Sequence, residues 1–370
     1  MHPRSLRALA IAATLLLAIA SPAGCDDSAT DATGGGGGAG NTDAENRTAA
    51  VASMHATLAK DLQGLVDASS ALQAAAPTPP DRGWDLTLDA SAIAAMRASW
   101  VEARTAYERV EGALAPLFPN IDHDIDARYD DFLSELVGTG DPDLFDGEGV
   151  TGLHAVERVI YSNTIPANVV ELESSLPGYV AAGFPATAAE AAAFKAKLCE
   201  KLVADAKDLL AQWQPANIDA SIAFAGLVSL MNEQLEKVQK ASTGEEESRY
   251  SARTMADLRD NLAGTKGAYA AFQPWLLTRS SADPTKDGAT IDKAILAGFA
   301  SLDATYAKVS GPSIPTPPAT WSAENPTAAD LMTPFGQLYV DVAAAVDAGD
   351  PASVVSQMND AALALGLMTF

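Results

Sequence analysis

The sequence predicts an all-α protein: two antiparallel, four-helix-type bundles packed together behind an N-terminal leader and a flexible glycine-rich linker. Three observations lead there. The composition is 48% hydrophobic with only 6% aromatic residues, rich in alanine and poor in β-branched runs, a mixture that favours helix over strand. Apolar residues recur at three- and four-residue spacing along most of the chain. Prolines and capping residues then divide that pattern into helix-sized pieces, about four on each side of Pro215. A chain of 370 residues accommodates about two domains, expected at residues 43–215 and 216–370.

At the start, Arg4 and Arg7 precede an apolar run, Leu9 to Ala20, and then Ser21-Pro22-Ala23-Gly24-Cys25. Residues 1–24 read as a secretory signal, since the run is shorter than the ~20 residues of a spanning helix. Small residues before Cys25 resemble a bacterial lipobox, with Pro22 where an aliphatic residue is usual. Lipidation at Cys25 is the expectation and ordinary cleavage the alternative. Residues 25–42, with consecutive glycines from Gly34 to Gly38, form a tether.

The first body helix spans 43–76, with Val51, Met54, Leu58, Leu62, Leu65 and Leu72 on one face, and stops at Pro77, Pro79 and Pro80. The second spans 90–117, its buried stripe built from Ile93, Met96, Trp100, Tyr107, Val110 and Leu114. The acidic run from Asp122 to Asp131 lacks the glycine and glutamate of a calcium loop and reads as a solvated helix start. Gly138, Gly140 and Gly147 make a loose approach to the next helix, 152–161. Thr187 and Glu190 form a capping box opening a long helix to Trp213, on which Cys199 is a buried thiol. Beyond Pro215, helices are expected at 218–241, 252–277, 291–309, 328–348 and 351–368, with a proline-rich connection at 311–326.

The net charge is −24. A surface so acidic repels phosphate backbones and excludes nucleic acid as a partner. It is compatible with cation capture, although solubility alone is the simpler reading. The two cysteines, Cys25 and Cys199, give no disulfide framework.

His154 and Glu157, three residues apart, share one helical face, and Leu153, Val156, Val159 and Ile160 sink that helix into a core. An imidazole beside a carboxylate suits iron, zinc or manganese, and equally a plain hydrogen bond. Arg104, Glu108 and Glu111 share a face of the second helix, with Tyr107 beside Glu108. There Glu108 is either an ion-pair partner or a ligand. Asp257, Asp260 and Asn261 occupy a helix whose buried stripe carries Leu258 and Leu262.

These segments resemble the imelysin-like family, whose members include periplasmic iron-uptake proteins of the EfeO and EfeM type. The resemblance rests on Trp100 to Glu111, on Ile125-Asp126-Ala127-Arg128-Tyr129-Asp130-Asp131, and on the GxHxxE signature at Gly152, His154 and Glu157. It continues through Gly244-Glu245-Glu246, Tyr250-Ser251 and Asp257-Leu258-x-x-Asn261-x-x-Gly264. It implies Glu108, His154, Glu157 and Asp257 as metal ligands, supported by Arg104, Glu111 and Tyr107. Ala252 and Ala263 replace a histidine and an acid found in many relatives, which tells against a secondary iron site there. The resemblance further implies a lipid-anchored protein on the periplasmic face of the cell envelope. It would bind iron, or else zinc or manganese, and deliver it to a membrane iron permease. The expected role is a binding protein rather than an enzyme. The alternative is a metal-dependent peptidase, although Arg158 stands where a zinc-peptidase helix carries its second histidine, and His55 and His123 have no motif around them.

Overall fold

Fifteen α-helices carry the computed structural model, which describes residues 41–135, 141–214 and 216–370. The leader, Cys25, the glycine tract up to Gly40, the positions of Gly138 and Gly140, and Pro215 lie outside the described residues. Among the described residues there is no strand, and no helix is long and apolar enough to cross a membrane.

The longest helix, α1 (Asp43–Ala75), opens on a reciprocal capping box between Thr42 and Glu45 and buries Met54, Leu58, Leu62, Leu65 and Leu72. α2 (Ala90–Glu108) follows, and the chain then turns at Arg109-Val110 before the single turn α3 (Glu111–Leu114). The periodicity predicts one helix over 90–117. It breaks because Gly264 packs directly on the Arg109 main chain, where a Cβ would stand 2.1 Å from the Arg109 carbonyl oxygen. α4 (Pro119–Asp126), α5 (Tyr129–Glu135), α6 (Gly152–Ile160) and α7 (Ala167–Ser174) are short and lead around the site.

The long helix predicted from Thr187 to Trp213 is α8 (Ala188–Ala193) and α9 (Cys199–Trp213) joined by a π-turn, Phe194–Leu198. The turn delivers Lys195 to the end of α1, where its Nζ donates to the Ala74 and Ala76 carbonyls, both at 3.0 Å, satisfying acceptors that a helix C-terminus leaves open. Cys199 is buried among the core residues, and burial pushes its thiol well above the usual range.

α10 (Ala220–Lys240), α11 (Thr254–Leu276), α12 (Gly288–Ala307), α13 (Ala328–Leu331), α14 (Pro334–Val346) and α15 (Val354–Leu365) complete the chain. α1 packs on α2, α9 and α11, whereas α10 packs on α11, α14 and α15. α11 is the shared element, packing on α1 and α2 and also on α10 and α12. Residues 41–370 form one compact unit, and α11 buries apolar residues along its length, among them Leu258, Leu262, Tyr269, Phe272 and Trp275.

Candidate metal centre

α2 holds α6 at both of its ends. The Trp100 indole N–H donates to the Leu153 carbonyl at 2.9 Å, and Arg97 Nε donates to the Ile160 carbonyl at 2.8 Å. All nine residues of α6 are buried. His154 and Glu157 do share a face: the imidazole Nδ1 is 3.1 Å from Glu157 Oε2, while Glu157 Oε1 accepts from the Ser251 main-chain N–H at 2.8 Å. Glu157 engages Nδ1, which leaves Nε2 as the nitrogen that can ligate once the imidazole is neutral. Nε2 lies 3.2 Å from Asp126 Oδ1, without the alignment of a hydrogen bond.

Asp126, His154 and Glu247 bring one ligand atom each within 4.8 Å of one another. They come from the end of α4, the start of α6 and the loop between α10 and α11. Sequence reasoning takes Asp126 for part of a solvated run and passes over Glu247 beside Glu245 and Glu246. The signal available for Asp126 was its place in the segment 125–131 that carries the family resemblance.

Arg104 sits at the middle of the remaining acids. Its guanidinium pairs with Glu108 and with Asp126, and lies 3.5 Å from Glu247 and 3.9 Å from Asp257. Tyr107 stacks against it, with the guanidinium 5.5 Å from the ring centroid, and donates its hydroxyl to Asp122. Glu111 instead meets Lys237 at 3.1 Å and the Asn261 amide at 2.8 Å. Glu108 is therefore held by Arg104 and Asn261, with Lys237 at 3.7 Å. Asp257 accepts from the Ser248 N–H at 3.3 Å. The structure thus gathers His154, Glu157, Glu108 and Asp257 into one buried network, with Glu157 on the opposite ring nitrogen from Asp126.

Among the described residues, six carboxylates, Glu108, Glu111, Asp126, Glu157, Glu247 and Asp257, face three fixed cations, Arg104, Arg128 and Lys237. The imbalance shows in their proton affinities. Burial raises Glu108, and raises Asp257 to about 6 and Asp122 to about 7. Asp126 and Glu247 go the other way: burial opposes their charge, but Arg104 and His154 outweigh it at Asp126, and Arg128, Lys237 and Arg104 at Glu247. Burial also opposes a charged His154, and the Asp126 carboxylate overcomes it, so the imidazole is raised. A buried orphan imidazole nitrogen between two ionised carboxylates, inside a net negative shell, is a donor set that fits a divalent transition metal.

A pH dependence of stability follows. A group whose pKa rises on folding contributes stability that is full in acid and is lost as pH climbs through the folded value. Asp257, Asp122 and His154 all act this way, so the metal-free protein loses stability as pH climbs through about 6 and about 7. Asp126 and Glu247, held low, contribute stability that is lost only in stronger acid. The melting temperature of metal-free protein is expected to peak near about pH 5 and fall on both sides. Thermal scans in chelator from pH 3.5 to 8.5 check this, and a maximum above pH 7.5 would contradict it.

The class so defined is an all-α protein with a buried histidine–carboxylate centre at the ends of α2, α4, α6 and α11. The chain belongs to the imelysin family, whose profile matches residues 47–330, from α1 into α13 and including every residue of the centre. No curated protein matches the chain.

Proposed function

We propose that this protein binds a divalent metal, with iron as the first candidate, through Asp126, His154 Nε2 and Glu247, and hands it to a membrane permease outside the cytoplasmic membrane. The single observation that carries the reading is the buried His154 Nε2, unpaired by any hydrogen bond and within reach of two carboxylates held in their charged form. Glu157 then orients the imidazole from behind, the role carboxylates play toward metal-binding histidines. Two oxygens and one borderline nitrogen suit iron, and tolerate zinc or manganese. Ligation requires a deprotonated imidazole and deprotonated carboxyls, so an arriving metal displaces whatever protons they hold. Lipidation at Cys25 and the glycine tether belong to the same reading: they would hold the acidic body at the periplasmic face of the envelope.

Among the described residues no second imidazole joins the first. His55 stacks on Trp213 with ring centroids 5.1 Å apart, and His123 is exposed. That favours a carrier over a zinc peptidase built on paired histidines.

The test is calorimetric titration with Fe(II) under anaerobic conditions, and with Zn(II) and Mn(II). Binding is expected to release protons, read as a dependence of the heat on the ionisation enthalpy of the buffer. His154→Ala should weaken binding by about 100-fold or more and Glu157→Gln by about 10-fold, with helical content unchanged. Equal affinity in the His154→Ala protein would overturn the assignment.

A further inference from the structure

Lys237, on α10, ends in the interior, with only 3% of its surface exposed. Its Nζ is surrounded by oxygen: Glu111 at 3.1 and 3.3 Å, the Asn261 carbonyl at 3.1 Å, Glu247 at 3.5 Å and Glu108 at 3.7 Å. Three carboxylates and an amide carbonyl converging on one point make the kind of donor set that hard divalent cations take, carboxylate and carbonyl oxygen without sulfur or imidazole. The Asn261 side chain is turned to serve it. Its amide nitrogen is used up on Glu108 and Glu111, leaving the carbonyl oxygen for the ammonium. A cavity of about 240 Å³ between α3 and α10, lined by Glu111, Gly112, Ser229 and Glu233, brings solvent to the outer wall of this cage.

We propose that the Lys237 ammonium occupies a second cation position in the acid-rich centre, and that this tethered charge limits the protein to one bound metal. The inference rests on the metal-binding reading above. Glu247 is common to both positions: it touches Lys237 through Oε1 and offers a ligand atom beside Asp126 and His154. Lys237 also draws Glu108 and Glu111 toward itself, so the exchangeable ion is left with the imidazole-containing set. An ammonium cannot be lost to solvent or replaced by calcium or magnesium, which keeps the hard-oxygen half of the centre closed to the commonest divalent ions.

The experiment counts Mn(II) by electron paramagnetic resonance in the full chain, in Lys237→Ala, and in Lys237→Ala combined with His154→Ala. The expected result is about two equivalents for Lys237→Ala against about one for the unaltered protein, with about one retained in the double variant. Folded Lys237→Ala protein that still binds only as much as the unaltered chain overturns the proposal. So does a folded double variant that binds none while the unaltered chain binds, a result that leaves the His154 reading intact. No binding by the unaltered chain, with binding by the double variant, has the opposite meaning: the His154 reading fails and the Lys237 cage stands. If Lys237→Ala does not fold without metal, Mn(II) is expected to restore its helical circular dichroism, and failure to do so also overturns the proposal.

Discussion

Replacing Arg104 with methionine is expected to cost about 3–5 kcal/mol of folding stability. Arg104 is 1% exposed and is the common partner of Glu108 and Asp126, with Glu247 and Asp257 just beyond. Methionine fills much of the same space, so the loss does not come from a cavity. It comes from buried carboxylates left without their counter-charge, which is far more costly than a broken surface pair. Domains commonly have only about 5–15 kcal/mol in total, so partial unfolding at 37 °C is within reach. Arg104→Lys keeps a charge but loses the planar fork that reaches two acids at once, and should fall between the two. Urea denaturation at pH 7.5 and pH 5 measures this. The loss should shrink at the lower pH, where Asp257, with its pKa at about 6, takes up a proton. A deficit below about 1 kcal/mol at pH 7.5 would show that Arg104 is not the electrostatic centre of the site.

The second large effect is expected from a residue with no side chain. Gly152 opens α6 at φ +86°, and a Cβ there would lie 2.3 Å from the Ile125 carbonyl oxygen and 2.7 Å from that of Asp124. Gly152→Ala therefore meets two penalties: a left-handed backbone that L-residues adopt at a cost of about 1–2 kcal/mol, and a collision with main chain that cannot rotate away. The total expected loss is about 3 kcal/mol. The direction of the movement matters more than its size. Relief requires α6 to separate from α4, which draws the His154 ring away from Asp126. Gly152→Ala should weaken metal binding by about 10-fold or more, although residue 152 touches no ligand. Thermal denaturation and the calorimetric titration together test this. Loss of stability with metal affinity unchanged would show that the spacing of α4 and α6 does not set the centre.

What was legible in the chain had short range. The pairing of His154 with Glu157 follows from a three-residue spacing on an apolar helix, and the structure has that contact. The reciprocal cap at Thr187 is also local, and it forms. The breaks in predicted helices were not legible. The turn at Arg109 depends on Gly264 arriving from far along the chain, and the π-turn at 194–198 presents Lys195 to the end of a helix more than a hundred residues earlier. Asp126 was hidden by its neighbours, since Asp122, Asp124 and Asp126 alternate as solvated acids do. Only the last of them meets Arg104 and His154. Glu247 was hidden similarly, as the third of three consecutive glutamates, distinguished only by the side of the loop that turns inward to Arg128 and Lys237. Lys237 lies in no motif.

The amino-acid sequence by itself determined the helical class, most helix positions and the imidazole–carboxylate face of α6, because caps, periodicity and i to i+3 neighbours act within a few residues. Tertiary structure alone decided which acids a neighbouring cation holds in the charged form, which have their proton affinity raised by burial, and which face the imidazole. A buried carboxyl keeps its charge only where a cation is brought to it, and here Arg104, Arg128 and Lys237 reach Asp126 and Glu247 from separate elements of the fold.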